Sequence, residues 1–382
     1  MRLSEIKTPA YVIDEKKLED NLKILADVEQ KAGCKILFAQ KAFSAFAEYP
    51  LIAKYISGTT ASGLYEAKLG AEEMGKENHI FCPGYRKEEM DEITDICDHI
   101  IFNSFAQLSA YGSIAAEKKR GIGLRLNPEC STQEEAIYDP CAPGSRLGVT
   151  LGNFEKGLKD HPDAFSMVEG FHIHTLCEQN SDALETTLAA AKEKFGKYFA
   201  LPQIRWINLG GGHHITRADY DRERLIRLVK EIKEEYSVSV YLEPGEAVAL
   251  NAGYLVTEVI DIVDNGIKIL ILDASAACHM PDVLEMPYRP PLKDSGKADE
   301  KAYTYRLSSC TCLAGDVIGD YSFDNEIHIG DRLVFEDMAI YSMVKNNTFN
   351  GMALPSIWAM DEKEDCRLIK EFGYEDFKMR LS

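Results

Sequence analysis

Short apolar runs and helix-spaced apolar positions alternate along the chain as far as Glu243. The runs that read as strands are Lys35–Lys41, Gly58–Ala61, His79–Pro83, His99–Asn103, Gly121–Asn127, Glu169–Thr175, Arg205–Leu209 and Ser239–Glu243. Between them lie helical periods with start signals. Ser62 opens one such segment, Ser104 and Gln107 stand at capping-box spacing, and Thr216 and Asp219 repeat that spacing. Strand and helix alternating eight times in roughly 210 residues predict a (β/α)8 TIM barrel over residues 15–248.

Beyond Pro244 the period changes. Val256–Val263, Ile267–Leu272, Tyr303–Leu307, Arg332–Phe335 and Ala339–Tyr341 are strand-like, with Gly and Asp turns between them. Pro9–Asp14 alternates in the same way, although it precedes the barrel. The expectation is an all-β domain, a β-sandwich or β-barrel, built from residues 249–382 and joined by the N-terminal strand within residues 1–14. Met286–Lys301, rich in Pro, Lys, Asp and Gly, reads as a mobile surface loop.

The 382 residues suffice for two domains, and the formal charge of −19 disfavours nucleic acid as a partner. Such a field mainly aids solubility, and it also attracts cationic small molecules. The ten cysteines are scattered, without a Cys-x-x-Cys pair, so they read as free thiols of a reducing compartment. No apolar run approaches membrane-spanning length, and the first residues show no secretory signal. The expected location is cytoplasmic.

Barrel enzymes carry their chemistry at the carboxyl ends of the strands. Here those ends present Lys41, Ser62, Cys82, Asn103, Arg125 with Asn127, His174, Gly210-Gly211-Gly212 and Glu243. A lysine closing an apolar strand is either solvated or desolvated, and a desolvated lysine forms Schiff bases with carbonyls. The triple glycine lets backbone N–H groups approach an anion, aided by a helix predicted to start near Thr216. His172 and His174 share one face of their strand. They fit a metal pair or a packed core, but the ends of the later strands carry no matching ligands, so His174 against an aromatic ring fits better. Glu243 needs a cationic or hydrogen-bonding partner, either a pyridinium nitrogen or a barrel arginine such as Arg125. Cys312 and Asp316 lie four apart in a turn-like segment that lacks zinc spacing, so no metal site is expected there.

The order Phe38-x-x-Lys41, His172-x-His174, Gly210-Gly211-Gly212, Glu243-Pro244-Gly245, Cys312-x-x-x-Asp316 and Tyr341 resembles the fold-type III pyridoxal-phosphate decarboxylases. The resemblance runs through nearly the whole chain and is greatest to members acting on carboxylated polyamines. It implies an alanine racemase-like barrel, pyridoxal 5'-phosphate as cofactor, and a homodimer sharing active sites across its interface. Lys41 would hold the cofactor, His174 would stack on its ring, and Glu243 would hold the ring nitrogen. Gly210, Gly211, Gly212 and Tyr341 would bind phosphate. Cys312 would return a proton to substrate, with Asp316 beside it as a substrate contact of the partner's site. Glu246 stands where diaminopimelate decarboxylases have arginine. With Asp282 it is expected to contact the amines of a polyamine-like substrate. Diaminopimelate, with Arg146 as a clamp, is the rival substrate. A racemase is disfavoured by Glu243, and a binding protein without turnover by the additional β domain.

Overall fold

The computed structural model describes residues 1–382. It divides into two compact units, Asn21–Lys41 with Ala45–Val248, and Met1–Asp20 with Ala42–Ser44 and Ala249–Ser382. Strands are numbered in chain order. β1 (Ala10–Asp14) belongs to the second unit.

The first unit is a closed parallel barrel. Its staves are β2 (Lys35–Ala39), β3 (Gly58–Ala61), β4 (Glu77–Phe81), β5 (His99–Phe102), β6 (Gly121–Arg125), β7 (Gly170–His172), β8 (Trp206–Asn208) and β9 (Ser239–Leu242). Each stave pairs with the next, and β2 closes on β9. Ile36, Leu37 and Phe38 are all buried, as expected of a strand covered on both faces. All eight expected staves are present, but several stop short. β2 ends at Ala39, so Lys41 lies two residues beyond it, in a turn. β7 and β8 contain only three residues each.

Large rings fill the lower barrel. Trp206 stacks on His99 at 4.7 Å and His99 on His79 at 4.1 Å, with Tyr241 edge-on to His99 at 5.5 Å. Two glycines make room for the indole. A Cβ on Gly170 would lie 2.0 Å from Trp206 Cδ2, and one on Gly123 would lie 2.4 Å from its Cη2. Burial pushes His99 down to about 3, so its ring is neutral in this stack. Below the rings, Glu77 accepts from Lys35 at 2.5 Å and from Tyr241 at 2.9 Å.

The helices follow their caps. Ser104 accepts from the Gln107 amide at 3.2 Å, and Gln107 Oε1 returns to the Asn103 amide at 3.0 Å. The helix expected near Thr216 instead spans Arg222–Tyr236, capped by Asp221 accepting from Arg224 N at 3.0 Å. Thr216 turns its hydroxyl to Ala247 O at 2.7 Å, so it is not a cap.

The second unit is a mixed sheet. It contains β10 (Gly253–Asp264), β11 (Lys268–Leu272), β12 (Tyr303–Ser309), β13 (Val317–Phe323), β14 (Arg332–Glu336), β15 (Ser356–Met360) and β16 (Cys366–Lys370). The order is β13-β12-β11-β10-β1-β15-β16, with β14 also paired to β10. The N-terminal strand does join this sheet, antiparallel to β10 and parallel to β15. Tyr11, Leu255, Leu307, Tyr321 and Phe335 share its core.

Two expectations about this unit are corrected. Ala339–Tyr341 is a bend and not a strand, because Asp337 and Tyr341 adopt φ of +57° and +47°. Met286–Lys301 is not a detached loop. Lys293 N donates to Val334 O, Glu336 N to Pro291 O, and Arg289 to Asp320 O, which tie it to the sheet.

The barrel floor yields one prediction. Gly170→Ala drives a methyl into the Trp206 ring and is expected to cost about 1–3 kcal/mol. A lowered urea midpoint for unfolding is the check; an unchanged midpoint would mean that the ring has room to shift.

Candidate active site

Lys41 is presented by a turn that the barrel holds tightly. Ala39 N donates to Pro244 O and Gln40 N to Thr60 O. The buried Gln40 side chain accepts from Tyr49 at 2.9 Å and donates to Glu66 O at 2.9 Å. Beyond this clamp the Lys41 side chain is open to water, yet barrel atoms surround it, so it projects into a concavity. Burial, and next the Arg125 guanidinium, lower its pKa, against the opposing pull of Glu243. The amine is therefore more often neutral, and nucleophilic, than a surface lysine.

Glu243 follows β9 directly and is buried among donors. His172 Nε2 lies 2.9 Å from one of its oxygens, and Asn208 Nδ2 donates to the other at 2.8 Å. Burial alone would raise its pKa, but these two partners outweigh burial and hold it well below the usual carboxylate range. His172 is itself pushed down by burial. The pair is thus a carboxylate accepting from a neutral imidazole. Arg125, the alternative partner weighed from the sequence, instead lies over the Phe81 ring at 4.5 Å and donates to His174 O at 3.2 Å.

Asn208 links this carboxylate to the glycines. Its Oδ1 accepts from Gly210 N at 2.8 Å, while Glu243 N donates to Gly210 O at 2.7 Å. Gly210 and Gly212 adopt φ of +69° and +79°, where a side chain would be strained. Space excludes one as well. A Cβ on Gly210 would lie 2.5 Å from His174 Cβ, one on Gly211 2.5 Å from Glu243 O, and one on Gly212 2.1 Å from Leu176 O. The next helix begins only at Arg222, so the glycine turn lacks the expected helix terminus.

His174 lies above His172, with ring centroids 6.1 Å apart. Its Nε2 faces Leu176 O at 3.1 Å, and its Nδ1 accepts from Gly211 N at 3.4 Å. Burial, then Lys41, push its pKa well below the ordinary value, so the ring is neutral. His172, His174 and Glu243 bring ligand atoms within 4.8 Å of one another, the geometry of a possible metal site. Here, however, His172 Nε2 already faces Glu243, and His174 Nε2 faces Leu176 O.

Glu246 opens the short helix Glu246–Ala249, with an oxygen 3.3 Å from His214 Nε2.

In the second unit Cys312 is exposed, and its amide donates to Asn350 Oδ1 at 2.7 Å. Tyr341 N donates to Ala42 O at 2.8 Å. Asp282 accepts from Lys345, which also reaches Glu285 at 2.5 Å, so an incoming ammonium would have to compete with a lysine. The expectation that Asp316 contacts substrate directly needs correction. It is 1% exposed and accepts from Ser275 at 2.6 Å, Ser309 at 2.5 Å, Thr311 at 2.5 Å and the amides of Ala276 and Ala277. Five donors exhaust a carboxylate's lone pairs. Asp316 therefore fixes the turn that leads to Cys312.

Sequence reasoning missed two members of the barrel site, His172 as the partner of Glu243 and Asn208 as the bridge to the glycines. The period-2 spacing of His172 and His174 signals the first, whereas an asparagine on a buried three-residue strand is the only hint of the second.

A barrel with a concave-facing lysine, a buried carboxylate and a glycine turn at its mouth is the arrangement of a Schiff-base enzyme. The chain matches the family described as "Pyridoxal-dependent decarboxylase, C-terminal sheet domain" over residues 10–339, and it belongs to that family. It is 42% identical, over the full length of both chains, to the carboxynorspermidine/carboxyspermidine decarboxylase of Campylobacter jejuni. It is 40% identical to the carboxyaminopropylagmatine decarboxylase of Synechocystis, over 100% of this chain and 97% of that one. The crystal structure of Campylobacter jejuni carboxynorspermidine decarboxylase complexed with norspermidine superposes with a TM-score of 0.89 at 41% identity, covering 98% of this chain and 100% of that one.

Two predictions follow from the Glu243 cluster. Asn208→Ala strands a buried carboxylate oxygen and the Gly210 N–H, and is expected to cut kcat about 10–100-fold at neutral pH. Steady-state kinetics on the purified variant check this. The second concerns pH. Because Glu243 is held below its unfolded value of about 4.3, its stabilising contribution is complete above that pH and is lost as pH falls toward the folded value. Glu243→Gln should therefore flatten the loss of stability below about pH 4, read from unfolding midpoints across the acid range.

Proposed function

We propose that the protein removes CO2 from carboxynorspermidine and carboxyspermidine, yielding norspermidine and spermidine, with pyridoxal 5'-phosphate as cofactor. The observation that carries this reading is the joint presence, in one barrel, of the Lys41 amine, the Glu243 carboxylate and Glu246. Full-length identity of 42% to a carboxynorspermidine/carboxyspermidine decarboxylase supports it.

The barrel residues fit the cofactor. The glycine turn has room for no side chain, so a phosphate can approach its backbone closely, with the Gly212 N–H as donor; Tyr341 is the further phosphate ligand proposed. His174 would lie against the ring, and Glu243 would hold the ring nitrogen. When bound, pyridoxal phosphate supplies an aldehyde that condenses with amines and a ring that accepts the electron pair left as CO2 departs.

The chain's own residues do the rest. Lys41, its pKa lowered, would hold the cofactor through a neutral amine. Glu243, ionised and steadied by His172 and Asn208, would hold the protonated ring nitrogen. The neutral His174 would lie beside the ring without adding charge. Cys312 is the proposed donor of the proton that replaces CO2, serving the active site of a partner subunit in a homodimer, and Asp316 positions its turn. Glu246 provides a carboxylate where a phosphate-holding arginine would otherwise stand, which suits a substrate rich in ammonium groups. Each charge-assisted hydrogen bond to it contributes roughly 1.5–3 kcal/mol. A second reading, carboxyaminopropylagmatine as substrate, is raised by the Synechocystis relative at 40% identity. No helix is long and apolar enough to cross a membrane, in keeping with a cytoplasmic enzyme.

Two measurements test the proposal. Lys41→Ala is expected to abolish turnover together with the visible absorbance of the holoenzyme, and retention of both would sink it. CO2 release should be fastest with carboxynorspermidine or carboxyspermidine in a panel that includes carboxyaminopropylagmatine and diaminopimelate. Preference for either of the last two would reassign the substrate.

A further inference from the structure

The loops after β7, β8 and β9 bring a second set of groups together. Glu178, His214 and Glu246 each direct a ligand atom to one place, all within 4.8 Å of one another. The loops are fastened by their backbones. Gln179 N donates to Gly212 O at 3.0 Å and His214 N to Gln179 O at 3.3 Å. Gln133 holds Cys177 O at 2.7 Å, and Thr132 and Gln179 bond each other twice. Thr216 ties the β8 loop to Ala247, in the helix that Glu246 begins. Glu178 occupies the left-handed region at φ +53°, an uncommon conformation for a residue with a side chain.

His214 is the second, independent observation. Its side chain is 8% exposed. Neither ring nitrogen has a hydrogen-bond partner, although Nε2 comes within 3.3 Å of Glu246. A buried imidazole without partners is costly, and it faces two carboxylates whose mutual repulsion is also costly. A cation between them relieves both. The cluster stands on loops at the same end of the barrel as Lys41, since Lys41, Glu178, His214 and Glu246 all follow the carboxyl ends of staves.

We infer that Glu178, His214 and Glu246 form a subsite for an aliphatic ammonium of the substrate, one remote from the carbon that loses CO2. This deepens the function proposed above and rests on it. Glu178 and His214 are thus specificity-determining residues that touch the polyamine portion and not the reacting atoms. Glu178 and Glu246 accept N–H bonds from the ammonium, and a ring nitrogen of His214 accepts a third. Charge and hydrogen-bond count are what these three groups read.

The test uses the holoenzyme with norspermidine as probe. Glu178→Gln and His214→Ala should each weaken norspermidine binding about 10–100-fold by calorimetry and raise KM by a like factor. Their kcat and visible absorption spectra should stay near wild type, whereas a merely structural role would disturb both. Unchanged binding in Glu178→Gln, with a wild type that binds norspermidine, would overturn the subsite and leave the proposed reaction standing. A wild type that neither binds norspermidine nor releases CO2 from carboxynorspermidine would overturn the functional reading and the subsite with it. Stoichiometric zinc that wild type retains against excess norspermidine, and that Glu178→Gln releases, would reassign the cluster to a metal.

Discussion

The contact on which the barrel site depends is the grip of His172 and Asn208 on the Glu243 carboxylate. A lone carboxylate in that interior would take up a proton and lose its power to hold a cation. Two donors at 2.9 and 2.8 Å keep it ionised, and each comes from a different stave. Asn208 then passes the constraint on to Gly210, whose carbonyl accepts the Glu243 amide. Carboxylate, glycine turn and the His174 ring consequently form one rigid block, so a disturbance at any member reaches the others.

Charge is distributed around that block with evident division of labour. Arg125 is buried and rests on Phe81, and it depresses the Lys41 pKa without neutralising Glu243. The acid groups of the mouth lie farther along the loops, where Glu246 meets His214. A basic centre flanked by acids suits a reaction in which an amine must arrive charged and react neutral.

Much of this is legible in the sequence. The eight staves, the N-terminal strand in the sheet and the polar residues closing the staves all follow from periodicity and strand-end chemistry. Boundaries were less legible, because backbone turning at Ala39 and after His172 depends on pairing with neighbouring loops, which local pattern does not encode. Thr216 carried a cap spacing and yet its hydroxyl went to Ala247, a tertiary contact that outweighs a local preference. β13 was overlooked because Gly319 and Asp320 within it resemble a turn, whereas pairing with β12 keeps the segment extended. Ala339–Tyr341 fails the other way, since left-handed Asp337 precedes the apolar run and left-handed Tyr341 ends it. For Asp316, sequence spacing could not show that five neighbouring donors claim its oxygens.

The stack of Trp206, His99, His79 and Tyr241 has a consequence for traffic. With an indole pressed onto two glycines and imidazoles packed beneath it, the barrel has no channel through its base. Whatever enters at the mouth must leave the same way. Departing gas, the released amine and the next incoming molecule therefore share a single doorway, and clearance of that doorway belongs among the events that can limit each cycle.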